Sequence, residues 1–180
     1  MHQMLIQSLS FSNDEQYLAS LGGQDDGQLV IWESETGKAI CGHSVGMHVA
    51  NKICFYNNTA NNFVTIHDYG IRIWDVDYVQ KKILYQDLQM GQIKRRFQCI
   101  KITPDDASAF MGTATGDIVE ICLNRRLFKR IGPGNTLFQL GINCMALLAN
   151  GDLLVGAGDG TVAKLQISHQ MMKLKRQEKI

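Results

Sequence analysis

The stretch SLGGQDDGQLVIW, residues Ser20 to Trp32, combines three glycines and a pair of aspartates with an apolar run that ends in tryptophan. A glycine-rich loop can cradle a phosphate when a helix follows it, and clustered carboxylates can bind a metal ion. The same residues are also typical of a tight turn between two strands, because glycine and aspartate favour turn conformations. The choice between a ligand site and a hairpin decides the fold predicted for the whole chain.

The end of this stretch recurs along the chain. The segments DDGQLVIW, HDYGIRIW, ATGDIVEI and GDGTVAKL each combine a turn with a strand of alternating residues. They end at the anchors Trp32, Trp74, Ile121 and Leu165, which are 42, 47 and 44 residues apart. A period of about 40 to 45 residues with four strands per repeat is the signature of a β-propeller blade. GGQDDG is therefore predicted to be a hairpin turn.

Further strands are predicted around each anchor. Upstream lie LIQSLSF, NKICFY, FQCIKIT and INCMALL, and then YLASL, NFVTI, SAFMGT and DLLVGA. Downstream lie KAICG, KKILYQ and LFKRIG, whereas MMKLKRQ in the last repeat is either a fourth strand or a frayed tail. The sequence thus predicts an all-β fold of about four propeller blades, at residues 1–42, 43–90, 91–133 and 134–180.

These repeats resemble WD repeats. Blades of that family carry a histidine near their start, an aspartate in the turn before the third strand, and a Trp-Asp pair at the end of that strand. Trp74 and Asp75 form the pair literally, and three aspartates stand six residues before an anchor. The matching positions are His2, Asp26, Trp32, Asp68, Trp74 and Asp159.

The match to the WD pattern is incomplete. Thr115 stands at the position of the turn aspartate, and Ile121 and Leu165 stand at positions of the tryptophan. The literal Gly-His pair ends at His43, too far upstream of its strand for the family's spacing. The resemblance implies a buried His–Ser–Asp–Trp hydrogen-bond network, and we expect that network to be incomplete in every blade, so that packing supplies most of the stability.

Several stretches are more specific than a generic WD blade. YLASLGGQDDGQLVIW followed by AICG, and then IRIWDVD, GQIKRRF, TATGDIVEI and GDLLVGAGDG, resemble a family of ciliary WD-repeat proteins over essentially all 180 residues. Members of that family have two consecutive propellers in a far longer chain, so the resemblance implies part of a seven- or eight-bladed propeller.

The resemblance also implies a function. It suggests a structural microtubule inner protein of the cytoskeleton in motile cilia and flagella. Such a protein binds α/β-tubulin and other inner proteins in the lumen of the doublet microtubule and stabilises the axoneme. A soluble WD-repeat adaptor or scaffold in a signalling or ubiquitin-ligase complex is the alternative, because blades alone do not determine function.

The composition argues against several classes of partner. The net charge of +1 provides no field for nucleic acid, and no apolar run reaches the roughly 18 residues of a membrane span. The N-terminal MHQMLIQSLSF has no signal-peptide pattern, and five widely spaced cysteines without a C-x-x-C pair favour a reducing, cytoplasmic location. Cys54 and Cys144 lie in apolar runs and are expected to be small core residues.

Local motifs favour turns over reactive sites. GAGDGT, residues 156–161, precedes a strand rather than a helix. Neither Asp25-Asp26 nor Asp105-Asp106 has the alternating ligands of a calcium loop, and no G-x-S-x-G motif occurs. We therefore expect no catalysis, no cofactor and no metal ion.

Two groups of residues are candidates for partner contacts. The span from Phe11 to Asp26 is longer than in a usual WD blade, so the surplus Gly-Gly-Gln is expected to bulge as a lip at the rim. Basic clusters near strand ends are either solvated loop charges or contacts to an acidic partner such as tubulin. The candidate contacts are Gly22, Gly23, Gln24, Lys94, Arg95, Arg96, Arg125 and Arg126.

Overall fold

The protein is built from four antiparallel sheets. The structure, a computed structural model, describes residues 2–46, 50–134, 136–168 and 172–179. Within these residues every sheet has four strands in chain order, and there is no helix. This confirms the predicted all-β propeller fold with about four blades, and the sheets are called the first to fourth blades below.

The first compact unit, Met1–Leu88, contains two blades. The first blade consists of β1 (Ile6–Phe11), β2 (Tyr17–Gly22), β3 (Gln28–Glu33) and β4 (Ala39–Ser44). The second consists of β5 (Ala50–Phe55), β6 (Asn62–His67), β7 (Ile71–Asp77) and β8 (Lys82–Asp87). Aromatic and β-branched side chains of both blades pack into one core, which includes Ile31, Phe55, Phe63 and Trp74.

The second compact unit, Gln89–Ile180, contains the other two blades. The third blade consists of β9 (Phe97–Ile102), β10 (Ser108–Thr113), β11 (Ile118–Cys122) and β12 (Leu127–Gly132). The fourth consists of β13 (Ile142–Leu147), β14 (Leu153–Ala157), β15 (Thr161–Ile167) and β16 (Met172–Lys179). Met171 lies outside the described residues, but the rest of MMKLKRQ belongs to a paired fourth strand, since Leu165 of β15 pairs with Leu174 of β16.

The outer strands of the first and third blades share one irregularity. In the first blade Ile31 of β3 pairs with Cys41 of β4, and a bulge follows directly. In the third blade Glu120 of β11 pairs with Arg130 of β12, and a bulge follows at the same place. A bulge adds one residue to one strand. The two pairs are therefore structurally equivalent, although one is apolar and the other is charged.

The five cysteines carry free thiols. Cys54 is half-buried, and Cys144 is exposed, so the expected core position is wrong for Cys144. A bulge between Ile142 and Cys144 interrupts the alternation of β13. Met145 consequently takes the buried position that simple alternation did not predict.

Candidate functional site

The first blade contains a complete His–Ser–Asp–Trp hydrogen-bond network. The Nδ1 of His2 lies 2.5 Å from the Oδ2 of Asp26, and the Nε2 of His2 lies 2.6 Å from the Oγ of Ser20. The same Ser20 hydroxyl accepts a hydrogen bond of 2.6 Å from the Nε1 of Trp32. The expectation of an incomplete network in every blade is therefore wrong for the first blade.

Asp26 joins the N-terminal segment to the turn between β2 and β3. Its Oδ1 accepts hydrogen bonds from the backbone N–H groups of Gln3 at 2.7 Å and Met4 at 3.3 Å. Burial raises the pKa of this carboxyl, but the bonds from His2 and from the two amides outweigh burial and lower the pKa below its ordinary value. The ionised carboxylate of Asp26 thus fixes the segment that precedes β1 by hydrogen bonds.

Replacing Asp26 with asparagine is expected to lower the free energy of unfolding at pH 7 by about 1.5–3 kcal/mol, because charge-assisted hydrogen bonds are lost. The pKa of Asp26 is lower in the folded protein than in the unfolded chain. The stabilisation by the ionised carboxylate of Asp26 is therefore present above about pH 4, and it is lost as the pH falls through the folded-state pKa. Urea unfolding of the wild type and of Asp26→Asn, at pH 7 and in acid, measures this effect. The difference in free energy of unfolding between the two proteins should be smaller in acid.

The control for this prediction is Asp25→Asn, a change of the exposed neighbour in the same turn. It should alter the free energy of unfolding by less than about 0.5 kcal/mol. A difference between wild type and Asp26→Asn that stays constant from pH 7 down to acid would contradict the role given to the carboxylate.

Gly22 and Gly23, the adjacent glycines of the opening stretch, lie close to Asp26 and to Leu5. The N–H of Gly23 donates to the carbonyl of Leu5 at 2.8 Å, and both Gly22 and Gly23 are buried. A Cβ atom on Gly22 would collide with the Oδ2 of Asp26. The expected lip is therefore wrong for the glycines, whereas Gln24 is exposed. A partner contact at this turn stays a prediction, with Gln24 as the accessible residue of the three.

In the second blade, the described residues form a polar cluster around Trp74 and a separate bond at Asp68. The Nε1 of Trp74 donates to the Oγ1 of Thr65 at 2.8 Å, and that Oγ1 lies 2.9 Å from the Nε2 of His67. Asp68 accepts a hydrogen bond of 3.2 Å from the Nδ2 of Asn51. Threonine thus replaces the serine of the first blade, and a histidine from the end of β6 joins the cluster.

In the third blade, the polar cluster surrounds Asp117. Thr115, which stands at the position of the family's turn aspartate, is one of its hydrogen-bond donors. The Oδ1 of Asp117 accepts hydrogen bonds from the hydroxyls of Thr113 and Thr115, and its Oδ2 accepts one of 2.7 Å from the Nε of Arg95. Burial opposes ionisation, but these bonds lower the pKa of Asp117. Arg95, a candidate for a partner contact, therefore binds a carboxylate within its own unit.

In the fourth blade, the turn aspartate contacts residues of β15 and β16. Asp159 accepts a hydrogen bond of 3.0 Å from the N–H of Thr161, and the Nζ of Lys179 lies 3.7 Å from its Oδ2. Leu165, at the position of the family tryptophan, is fully buried. This turn is held by its own backbone and by β16.

The remaining basic candidates belong to the second unit. Lys94 and Arg96 are exposed directly before β9. Arg125 is exposed and Arg126 is half-buried in the turn between β11 and β12. The accessibility of these side chains is compatible with contact to an acidic surface.

A groove of about 600 Å³ lies between the third and fourth blades, within the second unit. Its walls come from the β9–β10 turn, from β11 and β12, and from the β13–β14 turn. Glu120 of β11 is 1% exposed, and its two carboxylate oxygens lie 2.5 Å from the Nζ of Lys129 and 2.5 Å from the Nε of Arg130. We call Glu120, Lys129 and Arg130 the ion triad.

Sequence reasoning missed the ion triad. Its signal is the glutamate in the strand DIVEI, at the position where the corresponding strands of the first two blades have Ile31 and Ile73. Both isoleucines are fully buried. A charged residue at a core-facing position of a third strand was the available clue, because buried charges are uncommon unless they are paired.

The described residues include no group of three or more His, Cys, Asp or Glu side chains that could hold a metal ion. In the same residues no helix is long and apolar enough to cross a membrane. The polar clusters described above instead hold strands and turns of each blade together.

Comparisons with known proteins point to one group of relatives. A family model described as "WD domain, G-beta repeat" matches residues 2–33. Cilia- and flagella-associated protein 52 of Chlamydomonas reinhardtii is 38% identical over 166 residues, which cover 92% of this chain and 27% of the relative. The proteins of the same name from Bos taurus and Homo sapiens are 38% and 37% identical over 89% of this chain and 26% of theirs. The chain thus spans about a quarter of the length of the curated relatives it matches.

The fold also matches a solved structure. The β-propeller domain of Myceliophteria thermophila Cps50 (Swd1) superposes with a TM-score of 0.77, at 17% identity, over 96% of this chain and 58% of that one. At this identity the similarity establishes the fold alone. Together with the four blades and the polar network of the first blade, these matches show that the chain has a β-propeller fold, carries a WD-repeat match at residues 2–33, and is similar to cilia- and flagella-associated protein 52 over most of its length.

Proposed function

We propose that this protein is a non-catalytic structural protein of motile cilia or flagella that binds tubulin and neighbouring inner proteins in the lumen of the doublet microtubule. The observation that carries the proposal is the identity of 37–38%, over about nine-tenths of the chain, to cilia- and flagella-associated protein 52 from an alga and from mammals. The name of these relatives supports a location in the cilium or flagellum.

The described geometry suits a passive structural role. Each blade ties its turns to its strands with a polar cluster, and the first blade does so with a complete network. Buried hydrogen-bond networks of this kind rigidify the elements that they join. Stiff blades with exposed basic turns would cross-link acidic protein surfaces without turnover.

The test is fractionation of cilia from cells that express the tagged protein. We expect it to stay with the doublet microtubules after the membrane and soluble matrix are extracted with mild detergent. Complete release into the detergent extract would contradict the proposal and would favour the soluble adaptor instead. Chemical cross-linking of the retained fraction, followed by mass spectrometry, should then yield cross-links to tubulin.

Charge reversal of the basic turns should weaken this retention. Surface ion pairs contribute up to about 1 kcal/mol each, so Lys94→Glu with Arg125→Glu is expected to reduce the retained fraction by about two- to tenfold at moderate salt. The matched control, Lys38→Glu with Lys82→Glu, changes two exposed lysines of the first unit by the same charge. Equal loss in both double variants would show that net charge, rather than these turns, governs binding.

A further inference from the structure

The inner strand of the first blade, β1, has an exposed apolar face. Leu9 and Phe11 on this strand are each 56% exposed. Leu9 pairs with Ser20 of β2, and the equivalent pair in the second blade joins Ile53 to Thr65. Ile53 is only 5% exposed. Because exposed apolar patches mark interaction surfaces, this face of β1 is a candidate for a contact that the second blade already makes.

Within the first unit, the first blade covers the equivalent face of the second blade. Ile53 and Phe55 of β5 belong to the apolar core that the two blades share. Their backbone N–H groups also donate to the hydroxyls of Ser8, at 3.3 Å, and Ser10, at 3.1 Å, on β1. The serine side of β1 therefore packs against the next blade, and the side with the exposed apolar residues faces away from it.

The second unit repeats this contact between its own two blades. Met145 of β13 is equivalent to Leu9, and it is buried in the core that the third and fourth blades share. At the outer strands, the Nη2 of Arg130 on β12 donates to the carbonyl of Ser168, directly after β15, at 2.7 Å. In both units, a blade thus covers the inner strand of its successor with one face.

The fourth blade exposes the covering half of such a contact. Cys144 and Ala146 of β13 stand at the positions of the two β1 serines, and both are exposed. Val162 of β15 is 40% exposed, whereas Leu29 at the equivalent position of the first blade is fully buried. The chain therefore exposes both halves of one type of contact, one on the first blade and the other on the fourth.

The outer strand of the fourth blade has an arginine at the position of Arg130. In the third blade, Arg130 pairs with Glu120 directly before a bulge. In the fourth blade, Arg176 pairs with Lys164 directly before a bulge at the same place. Arg176 binds Glu178 on its own strand, but its side chain is 77% exposed. It is therefore accessible to a further carboxylate.

The first and fourth blades carry opposite charges. Residues 1–42 contain six Asp and Glu but one Lys, whereas residues 134–180 contain five Lys and Arg but three Asp and Glu. Three of the acidic side chains of the first blade, Glu15, Glu33 and Glu35, line one pocket. Opposite charges on two surfaces favour their association and disfavour contacts between like surfaces.

Glu35 stands where the arginine of a preceding blade would arrive. It follows the anchor of the first blade by three residues, as Ser168 follows the anchor of the fourth blade by three. Arg130 reaches Ser168 across the contact between the third and fourth blades. By the same geometry, Arg176 of a fourth blade placed against β1 would reach Glu35.

We propose that the exposed face of the fourth blade packs on the exposed face of β1 in a second copy of this chain. In this contact Leu9 and Phe11 are covered by the face that contains Val162, and Arg176 pairs with Glu35. A second copy is the occupant because this chain itself supplies both complementary halves. The contact is head-to-tail, since the two faces differ. It rests on the blades alone and does not depend on the proposed ciliary role.

Sedimentation velocity of the 180-residue chain over a range of concentrations tests the association. We expect reversible self-association with a dissociation constant of about 50 μM or below. A chain that stays monomeric up to about 500 μM would overturn the proposal.

Two variants separate a head-to-tail contact from unspecific association of apolar surfaces. Leu9→Asp damages the face of the first blade alone, and Val162→Lys damages the face of the fourth blade alone. Each variant, with native circular dichroism, should associate with itself at least about tenfold more weakly than the wild type. Their equimolar mixture should form a one-to-one complex, because each supplies the face that the other lacks. Wild-type association of either variant alone, or no complex in the mixture, would contradict the proposal.

The matched control for these variants is Val79→Asp. Val79 lies in the turn between β7 and β8 and is exposed, so this change also replaces an exposed apolar side chain with a charge. The control should associate like the wild type. An equal loss in Val79→Asp and Leu9→Asp would show that any added charge prevents association and would overturn the assigned surface.

The ion pair between the copies has a separate test that leaves the apolar faces unchanged. Arg176→Glu and Glu35→Arg should each weaken association about three- to tenfold, because each places like charges opposite one another. The two changes combined in one chain exchange the charges and should restore association to within about twofold of the wild type. A combined variant that is as weak as the single variants would overturn the proposed orientation of the two blades.

Discussion

Replacing Trp74 with alanine is expected to lower the free energy of unfolding by about 3–5 kcal/mol. Trp74 is fully buried, and its ring centroid lies 5.7 Å from that of Phe63 and 5.4 Å from that of His43. Its Nε1 also donates to Thr65. The change therefore creates a large cavity and removes a buried hydrogen bond. Urea unfolding followed by far-UV circular dichroism measures the loss.

Two variants control for this result. Trp74→Phe keeps an aromatic ring and loses mainly the hydrogen bond to Thr65, so its loss should be about 1–3 kcal/mol. Trp32→Ala removes the other tryptophan, which is only partly buried, and should cost less than Trp74→Ala. Equal losses for Trp74→Ala and Trp32→Ala would contradict the central position given to Trp74 in the core of the first unit.

Replacing Gly116 with alanine is expected to lower the free energy of unfolding by about 3 kcal/mol or more. Gly116 has a φ of +86°, and a Cβ atom there would collide with the backbone carbonyl and N–H of Phe138. The N–H of Phe138 donates to the carbonyl of Gly116 at 2.9 Å, and its ring packs in the core of the second unit. An alanine therefore adds a backbone collision to the cost of a left-handed conformation.

Gly151 provides the matched control. It has a φ of +83°, but a Cβ atom there would meet no heavy atom within 4 Å. Gly151→Ala should lower the free energy of unfolding only by the cost of holding alanine in a left-handed conformation, about 1–2 kcal/mol. Thermal and urea unfolding of both variants would separate the two contributions. Equal losses would show that the close approach of Phe138 is not what requires glycine at position 116.

Much of the fold could be predicted from the sequence because each repeat contains its own turn and strand signals. DDGQLVIW and its counterparts place turn residues directly before an alternating strand, and the recurrence of that pattern identifies the blade. The structure confirms the hairpin reading of the opening stretch, with β2 and β3 on either side. It also shows His43 on β4, so this histidine does not occupy the family's position at the start of a blade.

The polar network of the first blade was predicted only in part. His2, Asp26 and Trp32 could be recognised by their spacing, but their connection depends on Ser20. The pairing of Ser20 with Val30 across β2 and β3 sets which side of the sheet the hydroxyl reaches. Register decides the face on which a strand residue lies, and a sequence read repeat by repeat does not specify it fully.

By itself the sequence determined the number of blades, the class of the fold and the group of relatives, since turns, alternation and repeat length are local properties. Only the tertiary structure decided what the charged residues do. Arg95 reaches Asp117 across 22 residues, and Glu120 is 1% exposed and pairs with Lys129 and Arg130 of β12. Burial depends on elements that are distant in the chain, so a local signal such as the glutamate in DIVEI indicates these pairs only in part.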